Sequence, residues 1–449
     1  MGKVTAITRT GAAGALTLLA VAACGHSSPE RIVPAHPASP SSPAGAKSAC
    51  PGAGPGPGPG AGSVAVQNPS VSGGFPALDA TAFVSGTRGW AAGSGRILAT
   101  ADGGRTWRRQ YAGPDRLYQL DFADATHGWA VGTSAVLSTS DGGATWTALP
   151  EPCGLIDSVH FVTPRLGYAV AGAPSVRVDA GTPVAVSGTS AADGGGRLVR
   201  TADGGRTWNP VSGAPSSAQS VCFTSPAKGF AGTPGRVWRT TDGGARWTVA
   251  FTEPPAGGPS DATALECAGA SAAWTLFLGT GAAMGHAPYL ACATADGRNW
   301  HVLFEESYTE SALRPKVRAP DGPGSYPGPF SAISPGRAAY VGWNPAAGLG
   351  AAPLELVSTG PRGGPALTRE GNVAGLARPY AAAFLASGQG WVVGADPRGR
   401  AVIEYTPDAG RTWQQEQPKI FGGTVAITTV PPKISPRRGG MAVPRKVWP

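Results

Sequence analysis

From about residue 76 onward, apolar residues come in short runs broken by Gly, Asp, Ser, Thr or Pro, and nowhere do they keep the spacing of an amphipathic helix. In "GWAAGSGRILATADGGRTWRRQYA" (89–112), small and β-branched residues alternate through two runs, a polar turn follows, and a Trp leads into the next run. This pattern predicts strands joined by tight turns. A second marker precedes it: an aromatic, a polar turn, then Gly and another aromatic. It reads "FVSGTRGWAAG" (83–93), "FADATHGWAVG" (122–132), "FVTPRLGYAVAG" (161–172), "FTSPAKGFAG" (223–232) and "FLASGQGWVVG" (384–394). "AGASAAWTLF" (268–277) and "ISPGRAAYVGW" (333–343) are looser versions. Each unit is therefore expected to hold four short strands, with the polar turn between the third and the fourth.

The polar turn itself recurs. "TADGGRTW" stands at 100–107 and, unchanged, at 201–208. The copies carry Asp102 and Trp107, Asp141 and Trp146, Asp203 and Trp208, Asp242 and Trp247, Asp296 and Trp300, and Asp408 and Trp413. Successive Asp positions are 39, 62, 39, 54 and 112 residues apart. The last step is about twice a unit, so a degraded copy is expected inside it; "VSTGPRGGPAL" (357–367), with Gly360 in place of Asp, fits. Seven such units predict an all-β fold, a seven-bladed β-propeller of four-stranded antiparallel blades over 76–418. The turn chemistry is local. An Asp heading a tight turn accepts backbone N–H groups two and three residues on. A Gly pair supplies positive φ without steric cost. The Trp is expected to enter the space between neighbouring sheets, burying on the order of 150–250 Å². These Asp residues read as structural, since one carboxylate per turn is too few for calcium, which takes about six to eight oxygens.

The pattern S/T-x-D-x-G-x-T-W resembles the Asp box, or BNR repeat. Over roughly 76–418 the chain resembles the Asp-box propeller superfamily, which includes sialidases, sortilin-type receptors and the photosystem II stability/assembly factor family. The paired Gly-Trp and DGGxTW markers are most similar to the assembly-factor-like branch. That resemblance implies a seven-bladed exported scaffold, with the boxes on the outer rim and the binding surface at the central channel; a photosynthetic role does not follow from it. A sialidase would need an arginine triad, a Tyr nucleophile with a Glu partner and an Arg-Ile-Pro motif at the start of the fold. "RIVP" (31–34) matches the last only loosely and lies in a low-complexity segment. A glycosidase needs two carboxylates facing one bond. Asp121, Asp157 and Glu266 fall near first strands, which line a propeller channel, but their spacing selects no pair. No GxSxG, P-loop or zinc-helix motif occurs. No catalytic residue, metal or cofactor is assigned. His127 is expected to be a solvated turn residue, and His160 takes the place that Asp121 has in the preceding unit.

Composition adds the setting. Of 449 residues, 68 are Gly and 44 Pro, and 14% are charged. Much of the Pro and Gly falls in 24–75, which lacks apolar periodicity and reads as a disordered tether unable to offset its ordering entropy. Before it, Lys3 and Arg9 precede the apolar run 11–23, the pattern of a secretory signal peptide (1–23) rather than a spanning helix, which needs about 20 apolar residues. "VAAC" (21–24) resembles the bacterial lipobox, which implies lipidation of Cys24. Export then allows disulfides. Cys50, Cys153, Cys222, Cys267 and Cys292 remain, an odd number without a CxxC pair; Cys267 and Cys292, closest in sequence, are the expected bridge. The net charge of +9 includes a basic tail, 419–449, with Lys433, Arg437, Arg438, Arg445 and Lys446; "TVAITTV" (424–430) within it is a candidate closing strand. An exported chain without a recognition motif is not expected to bind nucleic acid. The inserted segments 173–197, 278–289 and 306–327 are the expected places for specificity.

Together these features predict a monomeric propeller anchored through lipid to the outer face of the bacterial cytoplasmic membrane. It would act without cofactor as a non-catalytic binding or assembly scaffold for an envelope protein or polysaccharide. The alternative is a carbohydrate-binding or sialidase-like glycoside hydrolase propeller, which channel aromatics and carboxylates about 5–10 Å apart would favour.

Overall fold

The computed structural model describes residues 78–150, 156–172, 175–179, 182–186, 196–254, 260, 262–279, 288–306, 326–343, 352–359, 365–398 and 400–416. Cys24, the tether, Gly360, the 424–430 segment and the basic tail lie outside them. Seven four-stranded antiparallel sheets follow one another along the chain, at 80–112, 117–148, 156–210, 220–252, 262–306, 326–373 and 378–416, and are numbered blades 1 to 7. The fold is an all-β, seven-bladed propeller. No helix of the described residues is long and apolar enough to cross a membrane.

Strands pair in chain order within each blade. Among the described residues, blade 3 alone carries an inserted hairpin, Ser175–Asp179 with Thr182–Val186, between its second and third strands. This hairpin falls in the predicted insertion 173–197 and runs beside the first strand of blade 6. The first strand of each blade packs on both neighbouring blades, and the first two strands of blade 7 pack on the first strand of blade 1. The ring thus closes sheet against sheet, each blade being built from its own stretch of chain.

The Gly-aromatic marker has a steric cause. Gly128 opens the second strand of blade 2, and a Cβ there would lie 2.3 Å from the ring of Phe122 on the first strand. Only Gly lets the ring lie flat over the strand. Gly89, Gly167, Gly229 and Gly390 stand in the same relation to Phe83, Phe161, Phe223 and Phe384.

The aromatic after that Gly reaches into the next blade. Trp90 of blade 1 stacks on Phe122 of blade 2, with centroids 3.7 Å apart, and Trp146 of blade 2 meets Phe122 edge-on at 88°. The same three-ring arrangement joins Trp129, Phe161 and Trp208, then Tyr168, Phe223 and Trp247, and across the ring closure Trp391, Phe83 and Trp107. A polar tie accompanies it. Trp129 Nε1 donates to Gly204 O (3.0 Å), Tyr168 Oη to Gly243 O (3.1 Å) and Trp391 Nε1 to Gly103 O (2.8 Å). Each acceptor belongs to the Asp turn of the following blade. The repeated turn and the repeated Gly-aromatic pair are thus two halves of one seam.

Inside the turn, the expected bonding pattern needs correction. Asp102 Oδ1 accepts the N–H of Thr106, four residues on, at 2.9 Å, and Oδ2 accepts its hydroxyl at 2.6 Å. Thr100 donates its hydroxyl to Asp102 Oδ1 and accepts the N–H of Gly104 (both 2.8 Å). The Gly pair sits at φ 80° and 103°, so the loop curls back and presents the fourth N–H, not the second and third. Asp141, Asp203 and Asp408 repeat this network. Asp242 keeps the Thr240 hydroxyl and the backbone N–H of Arg246 and lacks only the second hydroxyl, because Arg246 stands where the other full-length turns have Thr. Only in blade 5, one residue shorter, does Asp296 accept the second and third N–H groups, of Arg298 and Asn299. In blade 6, Thr359 ends the third strand as Thr100 does in blade 1.

The expected Cys267–Cys292 bridge is not formed. Cys222 and Cys267 are bonded, with Cα atoms 5.6 Å apart, and Cys292 is a buried free thiol. Cys222 and Cys267 lie on the first strands of blades 4 and 5, which run side by side, whereas Cys292 is on the third strand of blade 5. Adjacency across the seam, not nearness in sequence, chose the pair.

Candidate functional site

The first strands Ala80–Phe83, Leu117–Phe122, Ile156–Phe161, Ser220–Phe223, Ala262–Ala268, Tyr326–Ser334 and Arg378–Phe384 surround a central channel of about 400 Å³. Every blade contributes to its wall. The lining mixes apolar side chains, among them Leu120, Leu276, Leu278 and Phe330, with the hydroxyls and amides of Thr81, Tyr118, Gln119, Ser158, Gln219, Ser220 and Tyr380 and the carboxylates of Asp79, Asp157 and Glu266. Ser158 Oγ is buried and has no hydrogen-bond partner among the described residues.

Several of these groups serve the wall itself. Gln119 acts as a piece of strand, donating Nε2–H to Val159 O (3.0 Å) and accepting Val159 N–H on Oε1 (2.9 Å). Tyr118 Oη donates to Ile156 O (2.9 Å), and Ser220 Oγ to Thr263 O (2.6 Å). Asp79, buried before the first strand of blade 1, takes a two-pronged bond from Arg116 of blade 2, both distances being 2.9 Å.

The three carboxylates singled out in the sequence divide. Asp157 and Glu266 both line the channel, while Asp121 is spent in the seam. Asp121 Oδ2 accepts the Phe161 N–H of blade 3 at 2.6 Å; burial raises its pKa, and His160 and that N–H pull it back in part. Glu266 Oε2 accepts the Ala332 N–H of blade 6 at 2.6 Å. Burial pushes the Glu266 carboxyl up to about 7, the bond opposing the rise. His160, in the register of Asp121, bonds through Nε2 to Phe223 O at 2.9 Å rather than facing solvent. His127 stays in its turn, with Nδ1 3.0 Å from Asp124 Oδ2.

The Asp turns lie between third and fourth strands, away from the channel wall. In Asp102, Asp141 and Asp203 burial would raise the pKa, but the Thr hydroxyl and N–H groups outweigh it and hold the carboxyl below its usual range. Asp296 is lowered chiefly by the Asn299 N–H. No cluster of three or more His, Cys, Asp or Glu suited to a metal occurs among the described residues. Gln119, Gln110 and the Asp79–Arg116 pair were not singled out in the sequence, because an isolated amide or ion pair in a strand carries no pattern.

No family model matches the chain, and no curated protein does. Solved structures do. An ancestral GH74 enzyme is similar with a TM-score of 0.53 and 12% identity, over 76% of this chain and 46% of that one. The GH74 xyloglucanase from Xanthomonas campestris gives 0.50 and 14%, over 76% and 54%. The chain spans about half the length of both. YCF48 from Cyanidioschyzon merolae gives 0.47 and 17%, over 76% and 97%. At these identities the likeness speaks for the fold alone.

Proposed function

We propose that this chain is a non-catalytic binding or assembly scaffold, exported and held by lipid on Cys24 at the outer face of the bacterial cytoplasmic membrane. The lipobox-like "VAAC" and the tether motivate the placement. The BNR-type repeats motivate the scaffold role by their resemblance to the assembly-factor-like branch. One observation carries the reading furthest. Two half-buried carboxyls on first strands, Asp121 and Glu266, each accept a backbone N–H of the next blade at 2.6 Å, so they work as structural ties. What remains toward the channel is a mixed surface of apolar, hydroxyl and amide side chains with Asp157, on a ring tied at every seam and suited to holding a partner.

A second reading, carbohydrate binding with or without hydrolysis, draws on Tyr118, Tyr380, Asp157 and Glu266 sharing that channel. Cross-linking the lipidated protein in its native membrane, followed by capture and mass spectrometry, separates the two. One recurring protein in near-equal amount supports the scaffold. Recovery of the propeller alone, or with envelope polysaccharide, overturns the stable scaffold in favour of glycan binding.

A further inference from the structure

The outer half of the seam between blades 1 and 2 is open where its counterpart between blades 7 and 1 is filled. In blade 7, Trp391, Tyr405 and Gln414 form a row across the second, third and fourth strands. The Tyr405 ring lies 5.4 Å from that of Trp391, and its hydroxyl accepts Gln389 Nε2–H at 3.2 Å. In blade 1 the same row reads Trp90, Ala99, Arg108, and Arg88 stands where blade 7 has Gln389. Ala99 leaves empty the space that Tyr405 occupies.

The result is a cleft of about 470 Å³ lined by Arg88, Arg108, Thr106, Gln110 and Gly142, with Trp90 at its back. Its frame is fixed. Trp90 Nε1 donates to Gln110 Oε1 (3.1 Å), and Gln110 Nε2 donates to Gly142 O of the blade 2 turn (3.0 Å). Gln110 is thus inserted into a tie that other seams make directly. The Arg88 guanidinium lies 5.6 Å from the Trp90 ring centroid. It also sits against the blade 2 turn, where a Cβ on Gly142 would come within 2.1 Å of Arg88 Nη2.

Electrostatics give the cleft a sign. No carboxylate of the described residues pairs with Arg88 or Arg108, and Asp102 nearby is engaged by Thr100 and Thr106. Blade 1 carries Arg88, Arg96, Arg105, Arg108 and Arg109 against the single acid Asp102. Guanidinium presents a planar fork that matches the oxygens of a carboxylate or phosphate. We propose that this cleft is a binding site for an oxyanion group, phosphate or carboxylate, borne by a ligand. The site is independent of the channel and of the scaffold reading.

Calorimetric titration of the full chain at low salt, with pyrophosphate and separately with citrate, tests it. Saturable binding of either is expected, and which anion binds identifies the group. Arg88→Gln and Arg108→Gln should each weaken it about tenfold, the scale of one charged hydrogen bond. Ala99→Tyr copies the blade 7 filling and should abolish binding with the melting temperature unchanged or raised. If Ala99→Tyr fails to fold, the exposed Arg108→Gln carries the test. Failure of both anions to bind, or unaltered binding by the folded variants, overturns the proposal; the latter would place the anion elsewhere, as on the basic tail.

Discussion

Glu266→Gln removes one proton equilibrium while keeping the bond it belongs to. The Glu266 carboxyl accepts Ala332 N–H across the blade 5–6 seam at 2.6 Å, and a Gln amide oxygen can accept the same N–H. Burial raises the carboxyl from 4.5 to about 7. Between those values the folded chain holds a proton that the unfolded chain has released, so stability falls as pH rises through this window and levels off above it. At about 1.4 kcal/mol per pH unit, the rise from 4.5 to about 7 sets a ceiling of about 3.5 kcal/mol. The residue is only half-buried and borders the channel, and solvent screening reduces the ceiling to about 1–2 kcal/mol. Melting curves of wild type and Glu266→Gln, recorded from about pH 5 to about pH 8.5, should therefore converge at the acid end and separate by about 2–4 °C at the alkaline end, the variant being higher. Glu404, also raised to about 7 by burial, titrates in both chains and cancels in the difference. Parallel melting curves across the range would refute the reasoning, because they would mean that Glu266 ionises without leaving a favourable state.

Further outcomes follow from the seams and turns. Asp203→Ala removes the acceptor of Thr207 N–H, Thr207 Oγ1–H and Thr201 Oγ1–H and should cost about 2 kcal/mol by chemical denaturation. Trp129→Phe deletes the donor to Gly204 O and should cost about 1–2 kcal/mol, whereas blade 4 already uses Phe230 at this position and Phe230→Tyr should not cost more. Cys222→Ser opens a loop of 45 residues and should lower stability by about 4 kcal/mol, with two free thiols then titrating among Cys267 and Cys292 in the denatured protein; loss of the bridge with unchanged stability would argue against it. Ala409 holds φ 58° where the other full-length turns have Gly, so Ala409→Gly should raise the melting temperature by relieving about 1 kcal/mol of strain.

The repeat was legible because each local need has one side chain that meets it. Only Gly allows Phe122 to cover residue 128, and only a short acceptor such as Asp102 closes the turn with Thr100 and Thr106, so both needs leave a motif. Blade number and channel-facing strands followed from counting those motifs. Misread features depend on which residues meet across a seam. Cys267 pairs with Cys222 because two first strands adjoin, although Cys292 is nearer in sequence. The bond of Asp102 skips to the fourth N–H because two positive-φ residues lengthen the curl, which the letters DGG do not state. The oxyanion cleft rests on Ala99, an alanine unremarkable in sequence and informative only beside Tyr405 of blade 7.

The ties between first strands show how a circular fold with unlike blades is held. At one register, facing the Gly-aromatic residue of the second strand, stand Ala82, Asp121, His160, Cys222, Glu266 and Ala383. Four of these engage the next blade: Asp121 and Glu266 through N–H groups, His160 through a carbonyl, and Cys222 covalently. In blade 6, Ser331 does so by accepting Phe384 N–H at 3.1 Å. The two alanines, Ala82 of blade 1 and Ala383 of blade 7, face the two seams of blade 1, and there the tie moves to the strand ends. Arg116 clasps Asp79 ahead of the first strands at the blade 1–2 seam, and Gln389 Nε2 donates to Gly86 O at the blade 7–1 seam. Every seam is therefore tied, but at this register those of blade 1 hold alanines, and their ties lie at the strand edges. Blade 1 is also the blade with excess arginine and the open cleft. A ring with an edge-tied blade can accommodate ligand beside that blade without breaking the central girdle. On this argument, occupancy of the Arg88–Arg108 cleft should leave the channel wall of blades 2 to 6 undisturbed, and amide hydrogen exchange with pyrophosphate bound should show protection gained at 88–112 and 141–143 alone.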